Sequence, residues 1–268
     1  MVPQEPILRL RSPMRACLIL LTLAVASLTG RVAQCEWVDV RRAGQFRIHA
    51  EFDLDRYDSL IETIEEQRAD VAATLGLKPT DKPIVVCLFA NYSSYSRHVA
   101  EHAPAAARRR AVFVQDEDTG YVYVYRQPKL ETDLRHELTH AIVHSILPFI
   151  PLWLDEGLAE YFEAPPQKRA SGSPHQLKMK VASRLGWKPN LARLESRDDL
   201  SEFSAANYRE SWAWVHFLLH SSDESNELLR RYLGTIENEQ LPGPLSSHLK
   251  KSGDDPERRL LAHLKRWR

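Results

Sequence analysis

The stretch LETDLRHELTHAIVHSILPFIPLWLDEGLAEYF, Leu130 to Phe162, decides how the chain is read. Leu134, Leu138, Ala141, Ile142 and Ile146 recur at helical spacing and form one broad apolar face. A helix is therefore expected from Leu130 to Leu147, stopped by Pro148 and Pro151. After a tight connection a second, shorter helix is expected from Trp153 to Phe162. His136 and His140 lie four residues apart on the first. That spacing separates them by about 40° in azimuth and about 6 Å in rise, so both imidazoles can reach one metal ion. Glu137 sits between those azimuths and the adjacent helix face. From there its carboxylate can hydrogen-bond a water held by the metal without being a ligand itself.

Two histidines and a water leave a catalytic zinc one protein ligand short. The second helix offers Glu156 and Glu160, which share a face at i and i+4. One of them can bind the metal while the other accepts the free N–H of a ligand imidazole, and spacing does not decide which does which. Asp155 points about 100° away from Glu156 and reads as a helix-start or loop acid. His144 continues the series at i+8 from His136, but three ligands along one straight helix would spread over about 12 Å, so it reads as a non-ligand. Chance can supply the five-residue pattern alone, and the second, acid-bearing helix is what gives it context.

HELTH followed by WLDEGLAEY resembles the gluzincin superfamily of zinc peptidases, and more narrowly the peptidase MA-like domain proteins of bacteria. The resemblance is strongest over Leu130 to Glu163. It takes in more weakly the preceding hairpin and the helix Asn207-Tyr208-Arg209-Glu210-Ser211-Trp212, which is similar to a Y-x-x-S-W stretch of such proteins. It implies a zincin-like fold, one Zn2+ ion and His136, His140 and Glu156 as metal ligands. The acid one turn further on falls on Glu160. The expected reaction is peptide hydrolysis, in which Glu137 takes a proton from a zinc-activated water and passes it to the leaving amine. Tyr208, at the start of its helix, is the candidate donor to the oxyanion. A peptide or protein is then the substrate, with no substrate-contacting residue singled out. The alternative is a zinc-containing domain that binds protein or cell-wall material without hydrolysis. Glu137 counts against it, because a structural site needs no spare carboxylate beside an open position.

Outward from this stretch, strands are confined to the N-terminal half and helices dominate the rest, an α+β arrangement with the site-bearing helix between a mixed sheet and a mostly helical part. A hairpin is expected over Trp37 to Phe52 around Ala43-Gly44, then a helix capped by Asp53 or Asp55 and stopped by Gly76 and Pro79. Pro83 to Ala90, apolar throughout its middle, reads as a central strand covered on both faces. A short helix over Ser93 to Glu101 and a hairpin over Arg110 to Tyr125 follow. The stripe Tyr121, Tyr123, Tyr125 reads as a partly solvated face, and its strand as an exposed edge to which a substrate could add. Beyond a polar loop from Pro165, helices are expected near Gln176 to Leu185, Tyr208 to His220, Asn226 to Ile236 and Pro256 to Trp267.

The first residues differ from the rest: Arg9, Arg11 and Arg15 precede the apolar run Ala16 to Thr29, too short to span hydrocarbon, which needs about 20 residues. Residues 1–34 thus read as a secretory signal, leaving 35–268 as one peptidase MA-like domain with a sheet part, 35–147, and a helical part, 148–268. Export and no stable membrane span after signal removal are the expectation. Basic and acidic residues balance at 36 each, so no nucleic-acid partner is indicated. Loss of residues 1–34 would leave 32 basic and 35 acidic residues. Cys35 and Cys87 could pair in an oxidising compartment, or Cys87 could be a small buried strand residue. Arg108-Arg109-Arg110 reads as a solvated face.

Overall fold

The computed structural model describes residues 37–171, 175–251 and 255–266. The proposed signal, Cys35, the end of the polar loop at 172–174 and Trp267 lie outside them. The described residues belong to one compact unit, Cys35–Arg268.

Its sheet has five strands: β1 (Asp39–Ala43), β2 (Phe46–Ala50), β3 (Ile84–Phe89), β4 (Ala111–Asp116) and β5 (Thr119–Tyr125), in the order β1-β2-β3-β5-β4. The two hairpins, β1/β2 and β4/β5, are antiparallel, and β3 joins them by parallel pairing on both sides. Gly44 turns the first hairpin with φ 57°, a left-handed conformation that favours glycine, whereas Glu117 takes φ 47° in the second. The expected central strand is central. Its mixed sheet, within an α+β fold, is as the distribution of apolar runs implied.

One strand differs. β5 lies between β3 and β4, so the Tyr121 to Tyr125 segment is interior and the edge is β4. Val122 and Val124 join the main core, while Tyr121, Tyr123 and Tyr125 point to the other face with Phe89, Tyr95 and Val99. The tyrosine stripe therefore faces the helix α2 (Tyr92–His102), whose N-cap Asn91 accepts from the amides of Ser93 and Ser94.

Helix α1 (Asp58–Leu75) ends in Gly76 at φ 69°, as expected, but neither Asp53 nor Asp55 caps it. Tyr57 holds the N-cap position without a side-chain bond; Asp53 accepts from the Asp55 amide, and Asp55 pairs with Arg41 on β1. Helix α3 (Leu130–Ile146) lies across β3, β5 and β4 with α1 beside it. Its Leu134, Leu138, Ala141 and Ile142 are fully or almost fully buried, each worth about 1.5–3 kcal/mol for the larger side chains, and that burial fixes which way the remaining face looks. Gln67 of α1 locks the contact by donating from Nε2 to Arg135 O (2.5 Å) and Thr139 Oγ1 (2.9 Å).

The second half is helical: α4 (Leu152–Phe162), α5 (Pro166–Arg169), α6 (His175–Arg184), α7 (Leu191–Glu195), α8 (Ala205–His220), α9 (Asp223–Glu237), α10 (Leu245–Lys251) and α11 (Pro256–Arg266). Helix α4 is packed between α3 and α8, and α8 carries α9 and α11. The approach of α4 to α8 is close: a Cβ on Gly157 would lie 2.8 Å from the carbonyl oxygen of Ser211 and 2.9 Å from Val215 Cγ2. Only a glycine fits there. Among the described residues no helix is long and apolar enough to cross a membrane. Cys87 is buried in β3.

Candidate metal centre

With its apolar face on the sheet, α3 turns His136 and His140 toward α4. The chain leaves α3 at Leu147, in extended conformation before Pro148, and Pro151 starts α4 back across it. That return brings Glu156 Oε2 to 3.7 Å from His136 Nε2 and to the same 3.7 Å from His140 Nε2. Such a separation is too long for a hydrogen bond. It is close to the roughly 3.3–3.5 Å between neighbouring ligand atoms around a tetrahedral zinc with bonds of about 2.0–2.1 Å. The ligand atoms of His136, His140 and Glu156 all lie within 4.8 Å of one another. Nitrogen and carboxylate donors in this number suit zinc.

The other ring nitrogens are also engaged. His140 Nδ1 lies 2.9 Å from Asp155 Oδ1, and His136 Nδ1 lies 3.5 Å from Glu163 Oε2, just past the end of α4. Asp155 reaches further, placing Oδ2 3.0 Å from His144 Nε2. Thus His144 lies outside the His136, His140, Glu156 group, but its ligand atom lies within 4.8 Å of those of His140 and Asp155. Glu160 faces the site as well, but its oxygen lies 2.5 Å from His175 Nε2 on α6. The carboxylates that reach the other ring nitrogens are Asp155, as an ion pair whose Oδ1 makes no hydrogen bond among the described residues, and, at longer range, Glu163, while Glu160 stands within 4.8 Å of His136 and Glu163. An acid adjacent to Glu156 can do this because α4 crosses α3 at its first turn, where both Asp155 and Glu156 reach the histidines.

Electrostatics follow from this crowding. Burial by itself lowers the pKa of His136, but Glu156, Glu163 and Glu137 outweigh it and hold the imidazole well above its ordinary range. His140 is likewise lowered by burial and raised more by Asp155 and Glu156. Asp155, despite burial that would raise it, is held far below the usual carboxylate range by His140 and His144. Carboxylates that hold protons on imidazoles favour a dication in the protons' place, so the surroundings fit a metal as well as the spacing does.

Glu137 is buried on its helix but lines an open cleft of about 430 Å³ together with Arg108, Arg109, Arg110, Ala111, Asp133, His136, Glu160, Glu163 and Tyr208. Tyr208 therefore shares the cleft with Glu137. It stands in the first turn of α8, whose N-cap Ser204 accepts from the Asn207 amide, and it packs edge-on against Phe203. Burial, then the charge of Glu156, pushes its phenol up to about 12, so it is a donor at neutral pH. The arginine run is exposed, as a solvated face implies, and it lines this cleft. Nothing in a short charge run signals that, because the cleft forms only when β4 is laid beside α3.

Compared with known proteins, the chain matches no family model and no curated protein sequence.

Proposed function

We propose that the protein is a zinc-dependent peptidase of the gluzincin type, with a zincin-like fold and a peptidase MA-like domain over residues 35–268. One observation carries the reading: two imidazole nitrogens stand equidistant from one carboxylate oxygen, and the acid Glu137 lines an open cleft together with His136. His136, His140 and Glu156 would hold one zinc ion. When bound, the ion supplies Lewis-acid polarisation and lowers the pKa of a water toward about 7.

The chain's own residues do the rest. Glu137 accepts the proton of the attacking water and returns it to the leaving amide nitrogen, so one carboxylate serves as base and then as acid. Tyr208 donates from its phenol to the oxygen that gains charge as the carbonyl is attacked. Asp155 and Glu163 keep the two rings aimed. The exposed edge of β4, which runs beside α3, is where an extended substrate would add as a further strand. The basic, then apolar, order of residues 1–34 supports export, so the substrate is met outside the cytoplasm.

The decisive experiment compares casein turnover and zinc content in wild type, Glu137→Gln and Tyr208→Phe. Zinc near one equivalent in all three is expected, with kcat down about 10²–10⁴-fold for Glu137→Gln and about 10²-fold for Tyr208→Phe. Zinc retention without turnover in wild type would favour a binding domain instead. Absence of zinc would sink both readings.

A further inference from the structure

The cleft has two kinds of wall. Asp133, Glu137, Glu160 and Glu163 come from α3, α4 and the residue that ends α4, and they gather round His136. Arg108, Arg109 and Arg110 come from a different element, the segment that leads into the edge strand β4. Arg110 is tied to Asp133 at 3.3 Å. Arg108 and Arg109 are exposed and have no acidic partner among the described residues. Arg109 lines the same cleft as Tyr208 and Glu137.

Three adjacent guanidinium groups cost a folded chain mutual repulsion. Beside a cleft otherwise crowded with acids, two of them remain turned to solvent without a carboxylate. Guanidinium is the side chain whose fork matches a carboxylate by two parallel hydrogen bonds. A cleft with low-dielectric walls also concentrates a ligand of opposite charge. Left to itself, the acidic wall would select basic or neutral substrates, and the arginines supply the opposite preference at one end of the cleft.

We propose that Arg108 and Arg109 bind a carboxylate of the substrate close to the bond that is cut, so that the preferred substrates are acidic peptides. This rests on the peptidase reading above. The carboxylate is that of a Glu or Asp side chain flanking the scissile bond, or the peptide's own C-terminus.

The test uses quenched fluorogenic peptides that differ by Glu, Gln or Lys at one position on either side of the cleaved bond, each with a free and an amidated C-terminus. Full-length wild type is compared with Arg108→Ser/Arg109→Ser and with Arg108→Glu/Arg109→Glu. Zinc content and melting temperature are followed as controls, since both arginines are exposed. A preference in kcat/KM of about tenfold is expected for the Glu peptide over the Gln peptide or for the free over the amidated C-terminus, the ratio that two partly screened guanidinium contacts supply. It should fall as salt rises, vanish in the Ser variant and turn toward Lys in the Glu variant. A preference for Glu over Gln assigns the side chain, and a preference for the free over the amidated end, with Glu and Gln cleaved alike, assigns the C-terminus.

Equal cleavage of the three peptides by wild type with free and amidated ends alike, or a preference the arginine variants leave intact, overturns the proposal. Should wild type cleave none of them, anisotropy of the labelled Glu, Gln and Lys peptides on Glu137→Gln, with and without the arginine substitutions, separates the two readings. Arginine-dependent binding of the Glu peptide would keep the carboxylate site while the peptidase reading fails. Equal binding would end the carboxylate site too.

Discussion

His140 shows how much one residue's neighbours matter. Its Nε2 faces Glu156 and its Nδ1 faces Asp155, so two consecutive acids of α4 address the two nitrogens of a single ring. Orienting acids of this kind usually contribute about 10–100-fold to metal affinity. Asp155→Asn is therefore expected to weaken zinc binding by about that factor, whereas Glu160→Gln, whose carboxylate is engaged by His175, leaves it close to wild type. A chelator competition titration checks both. The pairing of His136 with His140 was legible, because i, i+4 spacing on a helix is a geometric statement that survives any packing, whereas spacing left Glu156 and Glu160 undecided. Asp155 was not, since an azimuth measured along its own helix says nothing of where a crossing helix will stand. A signal did exist: His140 and His144 share a face of α3, and one acid placed between them serves both.

Among the elements, the crossing of α4 and α8 sets the site. Gly157 follows Glu156 directly, and the carbonyl of Ser211 occupies the space a side chain would need. Gly157→Ala is expected to cost about 1–3 kcal/mol, as overpacking does, and to displace Glu156 along with the helix. Thermal melting in the presence of chelator reads the packing cost, and zinc affinity reads the displacement. A G and an S in corresponding stretches could be seen in the sequence, but not that they meet. The strands teach a related lesson. Apolar runs correctly made β3 central, yet β5, whose Tyr and Val alternation reads as a partly solvated face, is not the expected edge strand. A tyrosine buries its ring and can keep its hydroxyl wet, so alternation alone does not separate a solvated face from one covered by a helix. The polar end of β4 at Gln115 and Asp116 was the better edge signal.

Across the whole molecule, a second histidine group ties the C-terminal helix down. His216 of α8 lies with Nδ1 2.9 Å from His263 Nε2 of α11, its Nε2 faces the carbonyl of Ala170, and its ring lies 4.5 Å from that of His220, whose Nε2 is 2.9 Å from the Tyr161 hydroxyl. Burial, then the neighbouring histidine charges, lowers His216 to about 3; burial, then His220 and Arg266, lowers His263 to about 4. Their folded values lie below the unfolded value of about 6.5, so the unfolded chain takes up these protons first. Stability from this group is present above about pH 6.5 and is lost as pH falls through about 4 and then about 3, each histidine adding a slope of up to about 1.4 kcal/mol per pH unit. In zinc-free protein His136 and His140 act with the opposite sign, since their raised values give stability at low pH that is lost as pH rises. Melting temperatures of wild type and His263→Gln between pH 4 and 7 are expected to converge toward the acid end. A steeper acid slope in the variant would contradict this account.

The crossing of α3 and α4 has one more consequence. Two donors belong to one helix and the third to the next, so an ion seated there would fasten the intervening turn into a closed ring. A ring of that kind exists only while both helices keep their places. Ion occupancy and the integrity of the corner between the helices would then be linked variables, each withholding free energy from the disordered chain through the other.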